Sequence, residues 1–194
     1  MEKDWKYLIM NFKKHQKFFK NRKIFITGNT GFVGSYLSLT LSLMGSKVAG
    51  YSLKKNNLNY LSNLRKYKNR IKTITDDVKN IGKYQNYLKK FKPEIVIHLA
   101  AQPIVQESYK NTIKTFETNI FGTIKLFETL KKVNSIKQIL IFTSDKVYKN
   151  QDNPYLTEES NIGGFDPYSA SKSSQDIIAN SYKEPFFKNK KNII

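Results

Sequence analysis

Cysteine is missing from all 194 residues, which excludes a disulfide framework and any thiolate metal site and suits a reducing compartment. No apolar run approaches the length that spans a bilayer, and the N-terminus has no signal-peptide apolar core. Neither membrane insertion nor secretion is expected, and the reading is cytoplasmic. Acidic residues are scarce: 34 Lys+Arg stand against 15 Asp+Glu, a formal charge of +19. Such a balance raises nucleic acid as a partner. Arginine is scarce too, however, the lysines are scattered as KK and KNK pairs, and no zinc-finger spacing occurs. The charge is therefore assigned to a solvated surface, with no nucleic-acid partner. Glycine is sparse as well, nine in the chain, yet three crowd into KIFITGNTGFVGSYL at Gly28, Gly31 and Gly34.

What is present can fold. Hydrophobic residues make up 39% and aromatics 13%, enough apolar surface for one domain with a real core. Residues 1–22 read as a basic N-terminal extension. Within it Trp5, Leu8, Ile9 and Phe12 recur at helical spacing, so a short helix packed on the domain is expected rather than a membrane anchor. Residues 23–194 form the main domain. Strands are expected over 24–27, 47–51, 72–75, 95–100 and 138–143, with helices over 32–44 and 84–90. Phe116, Ile120, Ile124, Phe127 and Leu130 mark one face of a long helix. Strands separated by helices imply crossover connections, hence a doubly wound parallel sheet of the α/β class. Residues 148–165 form the one extended loop.

Three glycines between a first strand and a first helix answer to a phosphate. The first permits the tight turn, the second lets a pyrophosphate approach the backbone, and the third lets the helix pack against the sheet. Phe32 and Val33 belong to the same turn, at the helix N-terminus whose N–H groups attract an anion. A dinucleotide such as NAD is the expected ligand. A second motif, YSASK, sets Tyr168 and Lys172 one helical turn apart on one face, behind Asp166 as N-cap and Pro167 as first helical residue. A phenol is a poor base near neutral pH, and an ammonium beside one favours its phenolate. Such a pair suits acid/base chemistry next to a nicotinamide.

The GxxGxxG spacing together with YSASK resembles the short-chain dehydrogenase/reductase superfamily. ITGNTGFVGSYLS, HLAAQP, TNIFGT, TSDKVY and GGFDPYSASK narrow the resemblance to the nucleotide-sugar 4,6-dehydratases of its extended group. Within that family the lysine of TSDKVY, where other branches carry glutamate, resembles the CDP-glucose branch. The resemblance implies a Rossmann-like fold, a nucleotide-sugar substrate, bound NAD that is recycled within the site, and a homodimer. It also implies roles. Tyr168 would take the proton of the sugar's 4-hydroxyl with Lys172 beside it, and Ser144 would bond the same hydroxyl. Asp145 would protonate the leaving 6-hydroxyl and Lys146 would act at C5. Asp77 and Val78 would lie at the adenine, His98, Ala100 and Ala101 along the pyrophosphate and ribose, and Asn119 behind the active site. His98 also fits a satisfied core histidine, and Asn119 an exposed polar helix position.

Some features depart from that family. No acidic residue follows the second strand, where YSLKK stands, so Lys54 or Lys55 leaves NADP open beside NAD. Family members are roughly twice as long, and the chain ends in KNKKNII, which reads as the start of a sixth strand. The expectation is a chain truncated before its substrate domain, one that binds dinucleotide but turns over no CDP-glucose by itself. Two other readings stand beside it. A 4-epimerase or decarboxylase of the same superfamily needs no acid and base after Ser144, and a binding-only protein needs no catalysis at all.

Overall fold

A computed structural model describes residues 13–53, 71–149 and 155–188. The expected helix around Trp5 to Phe12, Lys54 and Lys55, and the expected sixth strand from residue 189 on lie outside those residues. The first described element is α1, Lys13–Phe19. Five strands follow: β1 Lys23–Thr27, β2 Lys47–Ser52, β3 Lys72–Thr75, β4 Ile95–His98 and β5 Gln138–Ile141. They pair in parallel in the order β3-β2-β1-β4-β5. The connections are α2, Phe32–Leu43, a 3-10 turn Val78–Tyr84 leading into α3, Gln85–Phe91, and a broken helical segment between β4 and β5. That segment comprises α4, Val105–Lys110, α5, Thr112–Phe116, a π turn Glu117–Phe121 and α6, Gly122–Leu130. The last helix is α7, Pro167–Phe187. This is the doubly wound, Rossmann-like architecture that the alternation of elements predicts.

Side-chain alternation along the strands fills both faces. Ile24, Ile26, Val48, Ile95 and Ile97 point to one core, closed by Leu39 and Leu41. Phe25, Ala49, Tyr51, Val96 and Ile139 point to the other, closed by Leu126, Phe127 and Leu130 of α6, Leu88 of α3 and Ala179 and Phe187 of α7. The chain leaves the sheet centre in one direction after β1 and in the other after β4. The crevice at this switch point, outside the carboxyl ends of the strands, is where such sheets bind ligands.

Most boundaries fall within a residue of expectation, and two strands end sooner. β4 stops at His98 and β5 at Ile141, two residues early in each case. Leu99 N still donates to Thr27 O and Phe142 N to His98 O before both chains turn away. The long helix is also not one apolar stripe. Its buried face runs through Thr115, Asn119, Gly122, Thr123, Leu126, Phe127 and Leu130, whereas Phe116, Ile120 and Ile124 are only half-buried. The π turn shifts the register, and the face beside the crevice is polar, so hydrophobic periodicity places it one residue off.

Candidate active site

A cavity of about 390 Å3 opens at the switch point. Its floor is the glycine turn. Gly28 sits at φ +73, and a Cβ there would meet Ala100 N and Leu99 C at 2.8 Å. Glycine is required on both counts. Gly31 is the N-cap of α2 and offers no side-chain cap, so the first-turn N–H groups of that helix face the cavity without one. A Cβ at Gly34 would fall on the Gly28 carbonyl oxygen. The third glycine thus packs the helix on the turn itself, not on the sheet as the spacing first implied. Gly28, Gly31, Phe32, Val33 and Gly34 all line the cavity, and a turn of bare backbone next to an open helix N-terminus fits two linked phosphates.

Polar side chains under the turn hold it in place. Asn29 and Thr30 are buried; Asn29 Nδ2 donates to Thr73 Oγ1 at 2.8 Å on β3, and the Thr30 and Ser52 hydroxyls share a bond of 2.7 Å. The Asn29 amide occupies the space over Gly50, where a Cβ would collide with it. Neither Asn29 nor Gly50 was singled out from sequence. A glycine in the middle of a buried strand was the available signal.

At one end the cavity reaches Tyr51, Ser52, Asp76, Asp77 and Val78. The Asp77 carboxylate accepts from Lys79 N at 2.9 Å and caps the 3-10 turn. Tyr51 donates to Asp77 O at 2.8 Å. The sequence offers no acid after β2, but Asp76 after β3 lines the cavity beside Ser52 and is held by Asn80, Tyr84 and its neighbour's N–H. Those hydrogen bonds, Asn80 foremost, keep the Asp76 carboxyl below the usual range. Strand adjacency, which sequence does not display, brings it there.

At the other end Thr143, Phe142, Tyr168 and Lys172 close the cavity, with Ala100 and Ala101 between. Asp166 caps α7 by accepting from Ser169 N at 3.0 Å, which fixes the first turn that carries Tyr168. Lys172 donates to Phe142 O at 3.0 Å and to Gln175 Oε1 at 2.9 Å. Burial pushes its ammonium down to about 8. Behind the wall runs a buried polar chain. Thr123 Oγ1 gives its proton to Asn119 O at 2.7 Å, so it accepts from Gln175 Nε2 at 2.8 Å and from His98 Nε2 at 3.0 Å. His98 is then protonated on Nε2, and its Nδ1 accepts from Thr27 Oγ1 at 2.6 Å.

His98 is wholly buried and does not line the cavity. The contact with pyrophosphate or ribose implied for it is corrected to a place in this wall, where burial and the Lys172 charge hold the imidazole neutral, down to about 3. Asn119 also stands behind the cavity. Its amide accepts from Gln102 N at 2.8 Å and donates to Gln102 O at 3.2 Å and Ser171 Oγ at 2.8 Å, tying the loop after β4 to α7. The π turn aims it there, and it is not the exposed helix residue it also resembled.

Ser144, Asp145 and Lys146 follow Thr143 directly but do not line the cavity. Ser144 caps a 3-10 turn, Asp145–Val147, by accepting from Lys146 N at 3.2 Å, and donates to Asp145 Oδ1 at 2.9 Å. Asp145 is exposed. Burial raises the Asp166 carboxyl, but hydrogen bonds from Ser169 and Tyr168 outweigh it and hold the group below its ordinary value, with a smaller contribution from the Lys146 charge. Among the described residues no cluster of His, Asp and Glu could hold a metal ion, and no helix is long and apolar enough to cross a membrane.

The sequence pattern of the GDP-mannose 4,6 dehydratase family matches residues 25–189. The CDP-glucose 4,6-dehydratase of Salmonella typhimurium is 39% identical over 173 residues, 89% of this chain and 48% of that protein. The dTDP-D-glucose 4,6-dehydratase of Dictyostelium discoideum is 33% identical, over 85% of this chain and 41% of that protein. Among solved structures, a UDP-N-acetylglucosamine 4-epimerase from Methanobrevibacter ruminantium M1 in complex with UDP-N-acetylmuramic acid superposes with a TM-score of 0.75 at 27% identity, covering 86% of this chain and 52% of that one. A UDP-glucose 4-epimerase from Bifidobacterium longum in complex with NAD+ and UDP gives 0.74 at 25% identity, covering 84% and 49%. The chain spans about half the length of the curated relatives it matches.

Proposed function

The chain belongs to the GDP-mannose 4,6 dehydratase family, and from that premise we propose that it is the cofactor-binding and catalytic half of a nucleotide-sugar 4,6-dehydratase acting on CDP-glucose. The observation that carries the reading is one cavity that unites a side-chain-free phosphate turn with Tyr168 and Lys172. The cofactor is NAD: Gly28, Gly31 and the N–H groups of Phe32, Val33 and Gly34 would hold its pyrophosphate, Asp77 and Val78 its adenosine end, and Ala100, Ala101, Tyr168 and Lys172 its nicotinamide end. The carboxylate of Asp76 at the adenosine end opposes a further phosphate, which favours NAD over NADP.

When bound, NAD accepts a hydride from C4 of the sugar and returns it to C6, so the net reaction is loss of water. Tyr168 takes the proton of the 4-hydroxyl, and Ser144 orients that hydroxyl. Lys172 keeps positive charge beside the phenol and holds the nicotinamide ribose. Loss of the C4 hydride leaves a ketone that acidifies the C5 hydrogen; Lys146 removes that proton while Asp145 gives one to the 6-hydroxyl leaving as water. A lysine acts as base only when neutral, and its own proton must go to solvent first. The identity to the Salmonella enzyme and the Asp145-Lys146 pair favour CDP-glucose over other nucleotide sugars and dehydration over epimerisation.

The relatives carry as much chain again, so turnover is assigned to this half joined to a second one. Alone, the chain is expected to bind NAD and release no 4-keto sugar. Fused to the second half of the Salmonella relative it is expected to form the alkali-absorbing 4-keto-6-deoxy product from CDP-glucose in preference to dTDP- or UDP-glucose. A fusion that binds NAD but prefers another nucleotide sugar overturns the substrate; a chain that binds no dinucleotide overturns the whole reading.

A further inference from the structure

Gln175 is fully buried on α7, three residues beyond Lys172, and a polar side chain in that position must account for both ends of its amide. Its Oε1 accepts from Lys172 Nζ and its Nε2 donates to Thr123 Oγ1. The orientation is forced, because the Thr123 proton is already given to Asn119 O and an ammonium can only donate. We propose that Gln175 is the positioning residue for Lys172: its carboxamide holds the lysine head against the Phe142 carbonyl and so sets both where that cation stands in the cavity wall and how readily it keeps its proton. The assignment rests on the reading that Lys172 works beside Tyr168.

Two of the three N–H donors of the ammonium are spent on Phe142 O and Gln175 Oε1, and Lys172 lines the cavity, so the third is left for what occupies it. Both partners are neutral. They offset the desolvation of the charge only in part, in keeping with an ammonium pushed down to about 8 by burial. The titratable groups around it include His98 on β4, which burial and the Lys172 charge keep neutral, and Tyr168 and the half-buried Asp176, each one helical turn away on its own helix. Glu117, Glu128, Asp145 and Lys146 stand on other elements packed against α7, and burial is the cause of the shift. Of its two acceptors, Phe142 O belongs to the backbone, so position 175 is the one whose side chain can be changed to shift the charge of Lys172. An apolar residue there removes a bond to the charged form, and a carboxylate adds an opposite charge.

The test is a lysine side-chain NMR titration of the whole chain, with Lys172 assigned by Lys172→Met, in the wild type, Gln175→Met and Gln175→Glu. The expected order of the Lys172 pKa is Met below Gln below Glu, with steps of about one unit or more. An unmoved Lys172 in both folded variants overturns the assignment; if the glutamate variant fails to fold, the methionine variant decides. A titration with NAD runs beside it. A wild-type chain that does not bind NAD sinks the functional reading while the pKa order still tests Gln175. A pKa order that fails in a chain that binds NAD sinks only the role of Gln175.

Discussion

The two ends of the site are built differently. The dinucleotide end is made of backbone: a positive-φ glycine, a helix packed on the turn's own carbonyl, and strand ends locked from below by Asn29, Thr30 and the His98–Thr123–Gln175 chain. At the other end Ser144 caps a 3-10 turn at the rim, donating to the Asp145 carboxylate and accepting from Lys146 N, and none of Ser144, Asp145 and Lys146 lines the cavity. The first is backbone closed over by buried side chains, whereas the second is a turn with Asp145 exposed. A family can thus keep one cofactor cradle and vary its sugar chemistry at the rim at little cost to stability.

The largest expected effect that would sharpen this contrast lies in the wall. His98 titrates near 6.5 when unfolded and near 3 when folded. Below 6.5 the unfolded chain takes up a proton that the native chain refuses, so its contribution is full above 6.5 and is lost as the pH falls toward 3. The window amounts to about 5 kcal/mol. Urea unfolding from pH 7 to 4 should show a steep loss that flattens in His98→Asn. Next, Gly34→Val drives a side chain into the Gly28 carbonyl and should weaken NAD binding about 100-fold, about 3 kcal/mol, as read by calorimetry. Gly50→Ala meets the Asn29 amide and should cost about 1–3 kcal/mol, most of it recovered by adding Asn29→Ala, a coupling that a double-mutant cycle measures. The smallest effect belongs to the rim. Asp145→Asn and Lys146→Met should change stability by less than about 0.5 kcal/mol and leave NAD affinity unmoved, while each abolishes product formation in the fused enzyme. Rim variants that weaken NAD as much as Gly34→Val would erase the distinction between the ends.

The same contrast governs what could be read without coordinates. The alternation of apolar runs specified five strands and a parallel sheet covered on both faces, because burial on both faces of such a sheet imposes one hydrophobic pattern. The glycine turn was legible because its constraint is steric and local. The wall was not. Thr115, Asn119 and Thr123 form a buried face that apolar periodicity cannot register, and it is displaced by a π turn that no propensity announces. His98 was placed on the cofactor for want of any sign that Thr27 and Thr123, far apart in sequence, would satisfy both its nitrogens. Asp76 and Asn29 matter through strands that neighbour one another only after folding. Gln175 carries no signal in the sequence, because its partner Thr123 lies on another helix and meets it only in the fold.

The most direct measurement is a crystal structure of the chain grown with NAD. The account predicts the pyrophosphate on the N–H groups that follow Gly31, the adenosine by Asp77, and the nicotinamide C4 facing the Tyr168 hydroxyl with Lys172 on the ribose. A dinucleotide bound with its nicotinamide at Asp77, or one bound away from the glycine turn altogether, would contradict it.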